Sequence, residues 1–289
     1  LKDKSTVIEI GELAEEEVTI ALNKLENGLG KKIDRVTAKM LRTVQMLDSF
    51  SLLFRRNKSK INFNNQIELY DALWDTVICD SSPRSDVEMR EHLMYKIVET
   101  IQIAGTLNPQ FTPDSSQKRA YEYLASNGLI RREGSAVSFF HQSFYEYALA
   151  RHYSETGSLF SSDLKKEIQG LEIRSTVKAV LDFKRGYDTA KFVDEASSIL
   201  EDPDIRLHLK LLTLSVLAFV NNPSRAEKAL VADVCQKDGR LLVYFLRGVN
   251  SPDWFQTIRK MLNGIIPELK KDDEQFFPII SCLSRYVFD

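Results

Sequence analysis

From Gly157 to the end of this 289-residue chain, apolar side chains recur at helical spacing in short, closely joined segments. Helices are predicted over 163–171, 173–183, 189–200, 203–220, 224–235, 240–247, 252–261 and 273–285. Breaks fall at Gly186, Pro203, Asn221-Asn222-Pro223, Asp238-Gly239, Asn250-Ser251-Pro252 and Gly264. Helices of this length are marginal in water unless each buries its apolar stripe on a neighbour. Short helices joined by short breaks predict stacked helical pairs, an α-solenoid-like array. No fixed sequence period runs through them, so any repeats are degenerate.

The first half mixes helices with one hairpin. A short strand is predicted over 6–10, then a helix over 14–24 whose Glu15-Glu16-Glu17 run suits the positive N-terminal end of a helix dipole. Asn27-Gly28-Leu29-Gly30 breaks it, and a second helix is expected over 34–54. After a polar loop over 55–65, Ile67, Tyr70, Leu73, Trp74 and Val77 mark one helix face. Ser81-Ser82-Pro83 is a boundary signal, and the helix predicted over 87–104 meets a stop at Gly105. Thr112-Pro113 has the form of an N-cap followed by proline at the first helical position, and Asn127-Gly128 ends the helix it would start. Strands are predicted over 129–132 and 137–140, joined by Glu133-Gly134-Ser135. Helix, helix, two-stranded hairpin is the order of a winged helix. The fold class is therefore mainly α, with a single small ribbon.

Charge and cysteine usage narrow the possibilities further. Hydrophobic residues make up 43% and charged residues 28%, as in a globular protein, and the net charge of −2 gives no encouragement to a nucleic-acid or anionic-membrane surface. The basic clusters Arg55-Arg56-Asn57-Lys58-Ser59-Lys60 and Lys270-Lys271 lack interleaved aromatics and read as solvated surface. Cys79, Cys235 and Cys282 are too far apart for a zinc or paired-thiol motif, which suits a reducing cytoplasm. The longest strongly apolar run, 211–220, is too short to span a bilayer. No signal-peptide pattern opens the chain, and because it starts at Leu1 and not at methionine, a piece of a longer polypeptide is expected.

Catalytic patterns are not found. Gly28-Leu29-Gly30-Lys31-Lys32 lacks the first glycine and the hydroxyl of a phosphate-binding loop. His92, His141, His152 and His208 form no pair at metal-ligand spacing, and no nucleophile elbow is present. The chain is not expected to be an enzyme by itself. Chemistry and position meet only in Phe139-Phe140-His141-Gln142-Ser143-Phe144-Tyr145-Glu146-Tyr147. Ser143 and Glu146 are spaced as a capping box, which would start a helix near Phe144 and end it near Ser154. His141 would then stand beside backbone N–H groups lacking intrahelical partners. Such a histidine either closes the hairpin by bonding a carbonyl or helps hold a phosphate, and Glu146 would compete for the same N–H groups.

The run Leu124-Ala125-Ser126-Asn127-Gly128-Leu129-Ile130, the hairpin, and the segment from Phe139 to Arg151 together resemble the winged-helix domain of NACHT-type STAND ATPases. The family pattern places an aromatic, a variable residue, His, any residue, Ser or Thr, an aromatic, any residue, Glu and an aromatic before small residues. This chain matches nearly every position. Val7-Ile8-Glu9-Ile10 is similar to the last strand of the family's ATPase core, and residues 65–70 to part of its helical lid. The resemblance covers about residues 1–155 and is specific around His141.

It implies three parts: the end of the core and the lid over 1–80, a winged helix over 81–157, and a helical repeat-like sensor arm over 158–289. It also implies that His141 reaches the β-phosphate of bound ADP and holds the intact protein closed, ADP or ATP being carried mainly by an upstream P-loop core. Implied partners are that core, a trigger ligand on the helical arm and further copies of the protein on activation; neither nucleic acid nor membrane is expected. Where the family lid carries a proline near adenine, this chain reads Met46-Leu47-Asp48-Ser49-Phe50-Ser51. Two other functions remain open: a winged-helix nucleic-acid module using Lys118, Arg119, Arg131 and Arg132, or a helical protein-interaction scaffold.

Overall fold

The computed structural model of the chain describes residues 11–80, 82–166, 168–249, 251–263 and 276–285. The strand expected over 6–10 lies outside the described residues, as do the Gly264 break and the start of the helix expected over 273–285. The fold is mainly α: fifteen α-helices and one two-stranded antiparallel sheet among the described residues. They gather into two compact units, Leu1–Ala148 and Leu149–Asp289, divided within helix α7 (Gln142–Thr156).

The first unit begins with α1 (Glu15–Leu25), α2 (Arg35–Met40) and α3 (Val44–Phe54), so the single helix expected over 34–54 is two. No glycine or proline marks the break. Arg42 makes it, accepting from the Leu13 N–H at 2.8 Å and returning its Nε–H to the Leu13 carbonyl at 2.9 Å. This clamp between distant residues outweighs local helix propensity. Helix α4 (Gln66–Val77) is capped by Asn65, whose side chain accepts from Glu68 N–H at 2.9 Å, and it packs on α3. Tyr70, Leu73, Trp74 and Val77 of the predicted face are completely buried; Ile67 is only half-buried, and Leu69, outside that face, is completely buried as well.

Helix α5 (Arg84–Ala104) ends at Gly105, which takes φ +62°, a left-handed conformation that favours glycine. The Thr112-Pro113 cap does not form; α6 spans Lys118–Ser126. Residues 109–111 are drawn into the ribbon instead, with Phe111 N–H bonded to Ser135 O at 2.9 Å and Val137 N–H to Pro109 O at 3.0 Å. Only after Asp114 is the backbone free to coil, its carbonyl accepting from Gln117 and Lys118 N–H. At the far end Leu129 N–H bonds Leu124 O and Gly128 N–H bonds Ala125 O, a Schellman closure with Gly128 at φ +78°. Strands β1 (Ile130–Glu133) and β2 (Ala136–Phe139) pair from Ile130–Phe139 to Glu133–Ala136, and Gly134-Ser135 makes a two-residue turn with Gly134 at φ +64°.

The second unit is a two-layer stack. Its helices after α7 are α8 (Phe160–Leu164), α9 (Ile173–Tyr187), α10 (Thr189–Glu201), α11 (Leu207–Ala218), α12 (Arg225–Lys237), α13 (Gly239–Gly248), α14 (Phe255–Leu262) and α15 (Phe276–Arg285). Each odd-numbered helix from α9 to α15 packs on the next odd one, and each even one from α8 to α14 on the next even one. Helix pairs α9–α10, α11–α12 and α12–α13 link the layers. The helix expected over 163–171 lies earlier, at α8, and leaves Ile168 and Leu171 exposed. Gly186 does not break α9, which Asp188 stops two residues later. The helix expected from Pro203 begins at Leu207, because Arg206 N–H is held by the Gln169 side chain at 2.7 Å.

Two buried charges tie this stack. Glu195 on α10 is completely buried and accepts from Lys184 Nζ on α9 at 2.6 Å and from the N–H groups of Phe160 and Ser161 at 2.9 and 2.8 Å. Glu227 on α12 is also completely buried, closing a capping box with Ser224 and accepting Arg185 Nε at 2.9 Å. Each carboxylate thus meets a cation from the end of α9 and also satisfies amides that begin a helix.

Candidate functional site

The segment around His141 is positioned by aromatic packing. Phe144 is completely buried, with ring centroids 5.2 Å from Tyr70 and 5.0 Å from Phe140. Tyr147 stacks on Phe144 at 5.5 Å, lies 5.4 Å from Tyr70, and donates its hydroxyl to Asp71 Oδ1 at 2.6 Å. Most of the motif's aromatics are therefore core residues joining the ribbon and the start of α7 to α4. Each buried ring of this kind contributes roughly 1.5–3 kcal/mol by removing apolar surface from water.

The capping-box assignment is corrected by the structure. Helix α7 begins at Gln142, so Ser143 lies inside its first turn, and the Ser143 hydroxyl shares a 2.7 Å hydrogen bond with Tyr70 OH. Burial pushes the Tyr70 phenol up to about 12, so it remains a hydroxyl in this bond at any ordinary pH. Glu146 accepts from Gln142 Nε2 at 3.0 Å on the helix surface. The His141 carbonyl, meanwhile, accepts from the Phe144 and Tyr145 N–H groups, which places His141 itself at the helix start.

The His141 ring is not turned into the core. Its side chain is 17% exposed and lies 4.7 Å from the Phe140 ring centroid, with Nε2 2.9 Å from Asp48 Oδ2. Asp48, 56% exposed, comes from α3, 93 residues away in sequence. Neither sequence alternative named it: His141 meets a carboxylate, not a carbonyl. A pair this open to water is worth under about 1 kcal/mol. Ser49, next to it, is buried on α3 and gives its hydroxyl to the Gln45 carbonyl at 2.7 Å.

Beside Asp48 and Phe140 opens a groove of about 640 Å³, walled by Leu52, Gly128 and the β1 residues Arg131, Arg132 and Glu133. Its charges are mixed. Among the cations a nucleic-acid module would use, Arg119 is paired with Asp86 at 3.2 Å, and Arg132 lies 5.7 Å from the Tyr121 ring centroid. The group around His141 offers one imidazole donor with a carboxylate already on it. Its chemistry is that of one hydrogen-bond donor, able to serve a single acceptor oxygen at a time.

Among the described residues, no group of three or more His, Cys, Asp or Glu side chains is placed to hold a metal, and no helix is long and apolar enough to cross a membrane. Compared with family models and with curated proteins, the chain finds no match in either.

Proposed function

We propose that this chain is the regulatory part of a nucleotide-gated switch of the NACHT-type STAND class, in which His141 exchanges Asp48 for a nucleotide phosphate. The observation that carries the reading is the partly exposed imidazole at the start of α7, hydrogen-bonded to a side chain that costs little to displace. An imidazole N–H donates to a phosphate oxygen as readily as to a carboxylate, and protonation strengthens either bond. A bound diphosphate would supply the competing anion; His141 holds it, Asp48 contests it, and the aromatic cluster fixes the imidazole in place.

In this reading ADP favours the state with His141 on phosphate, and loss of that contact returns the ring to Asp48 and favours an open, oligomer-forming state. The two-layer helical stack is the sensor arm for a trigger ligand in the cytoplasm. The chain itself performs no hydrolysis; a P-loop core elsewhere in the parent protein would. Two substitutions in the full-length parent test this with opposite signs. His141→Ala should release ADP faster, whereas Asp48→Ala, by removing the competitor, should retain it longer. Equal ADP retention by both variants and the unaltered protein would refute the exchange.

A further inference from the structure

The second unit carries a groove of about 870 Å³ where α12, α13 and α14 meet. Arg225 and Lys228 on α12 and Lys260 on α14 line it, and no carboxylate of the described residues does. Cations nearby are handled differently. Lys237 is paired with Glu201 and Asp233, Arg240 with Asp238, and Arg185 with Glu227. The three in the groove have no ion-pair partner among the described residues.

Apart from Gln236 and Thr257, the rest of the lining is apolar and partly small. Ala229 and Ala232 lie on the same face of α12 as Arg225 and Lys228, and Leu242 and Met261 complete the floor. From Arg225 to Gln236 this face runs about 16 Å along the helix axis, the length of three helical turns. An inorganic anion would use the cations and leave the floor empty. Nucleic acid would want aromatic platforms for its bases, and the lining has none. An amphipathic segment uses both features, with carboxylates on the rim and an apolar side chain below.

We propose that this groove binds an acidic amphipathic peptide segment of a partner protein. Its carboxylates meet Arg225, Lys228 and Lys260, and one apolar side chain enters above Leu242 and Met261. The site is independent of what His141 reads. The test uses the whole 289-residue chain and a fluorescein-labelled amphipathic helical peptide of about three turns, with glutamates on one face and leucines on the other, followed by anisotropy.

Binding should weaken as salt rises. It should fall at least about tenfold in Lys228→Glu/Lys260→Glu, where both changed side chains reach solvent, and in Ala232→Trp, which fills the floor. Unchanged thermal unfolding of the double variant establishes that it folds. No binding, binding indifferent to both variants, or equal binding of a peptide with lysines for glutamates overturns the proposal. So does tighter binding of a single-stranded oligonucleotide, which would reassign the groove to nucleic acid. ADP retention plays no part in any of these outcomes.

Discussion

Replacing Glu195 with leucine removes the anion from the most enclosed ion pair of the second unit. Lys184 and Glu195 have side chains 2% and 0% exposed, so water cannot take over for the missing partner. The stranded ammonium keeps only the Ser158 carbonyl at 3.1 Å, and the N–H groups of Phe160 and Ser161 lose their acceptor. Breaking a buried pair from one side costs about 3–5 kcal/mol. At roughly 2–4 °C per kcal/mol, a cost near 4 kcal/mol lowers Tm by about 8–16 °C.

The chain has two tryptophans, both completely buried, Trp74 in the first unit and Trp254 in the second. In a Trp74→Phe background, Trp254 fluorescence therefore reports the second unit alone. Lys184→Met/Glu195→Leu should cost at least about 2 kcal/mol less than the two single changes summed, because no unpaired charge remains inside. A Glu195→Leu shift of under about 1 kcal/mol, or simple additivity of the two changes, would refute a buried stranded charge.

Asp80 should govern acid sensitivity in the first unit. Burial acts to raise its pKa, but hydrogen bonds from Ser82, Arg90 and Tyr123 outweigh that and hold it well below the usual carboxylate range. A depressed folded-state pKa contributes stability that is complete above about pH 5 and is lost as pH falls below about 4. Asp80→Asn should therefore flatten the acid limb of a stability–pH curve measured by urea unfolding; an unchanged limb would contradict this. Around the candidate site, Phe144→Ala should cost about 3–5 kcal/mol and His141→Ala under about 1 kcal/mol in chemical denaturation. Equal costs would make His141 a structural residue.

How far the sequence could be read depended on whether a feature was made by neighbours or by distant residues. Gly105, the Asn127-Gly128 stop and the Gly134 turn appear where expected, because each answers a local need for left-handed backbone. The break at Arg42 and the late start of α6 were illegible, since residues far off in sequence make both. Glu195 and Glu227 gave no sign of burial, as a lone glutamate on a helix reads as surface. At the candidate site, the Ser143/Glu146 spacing places His141 just before a helix, and α7 does begin at Gln142, although Ser143 lies in its first turn and bonds Tyr70. The partner of that histidine was not legible: Asp48 is one polar residue in a helix, and only tertiary packing brings it to the imidazole.

One residue, Asp188, both ends α9 and begins α10: its N–H bonds Lys184 O at 2.7 Å while its carboxylate accepts from Ala190 and Lys191 N–H. Asp238 does the same between α12 and α13, with its N–H on Val234 O and its carboxylate on Arg240 N–H. Such joints contain no spare chain. A displacement of α10 therefore pulls directly on the last turn of α9, and one of α13 on the last turn of α12, whereas five or six residues separate α10 from α11 and α11 from α12.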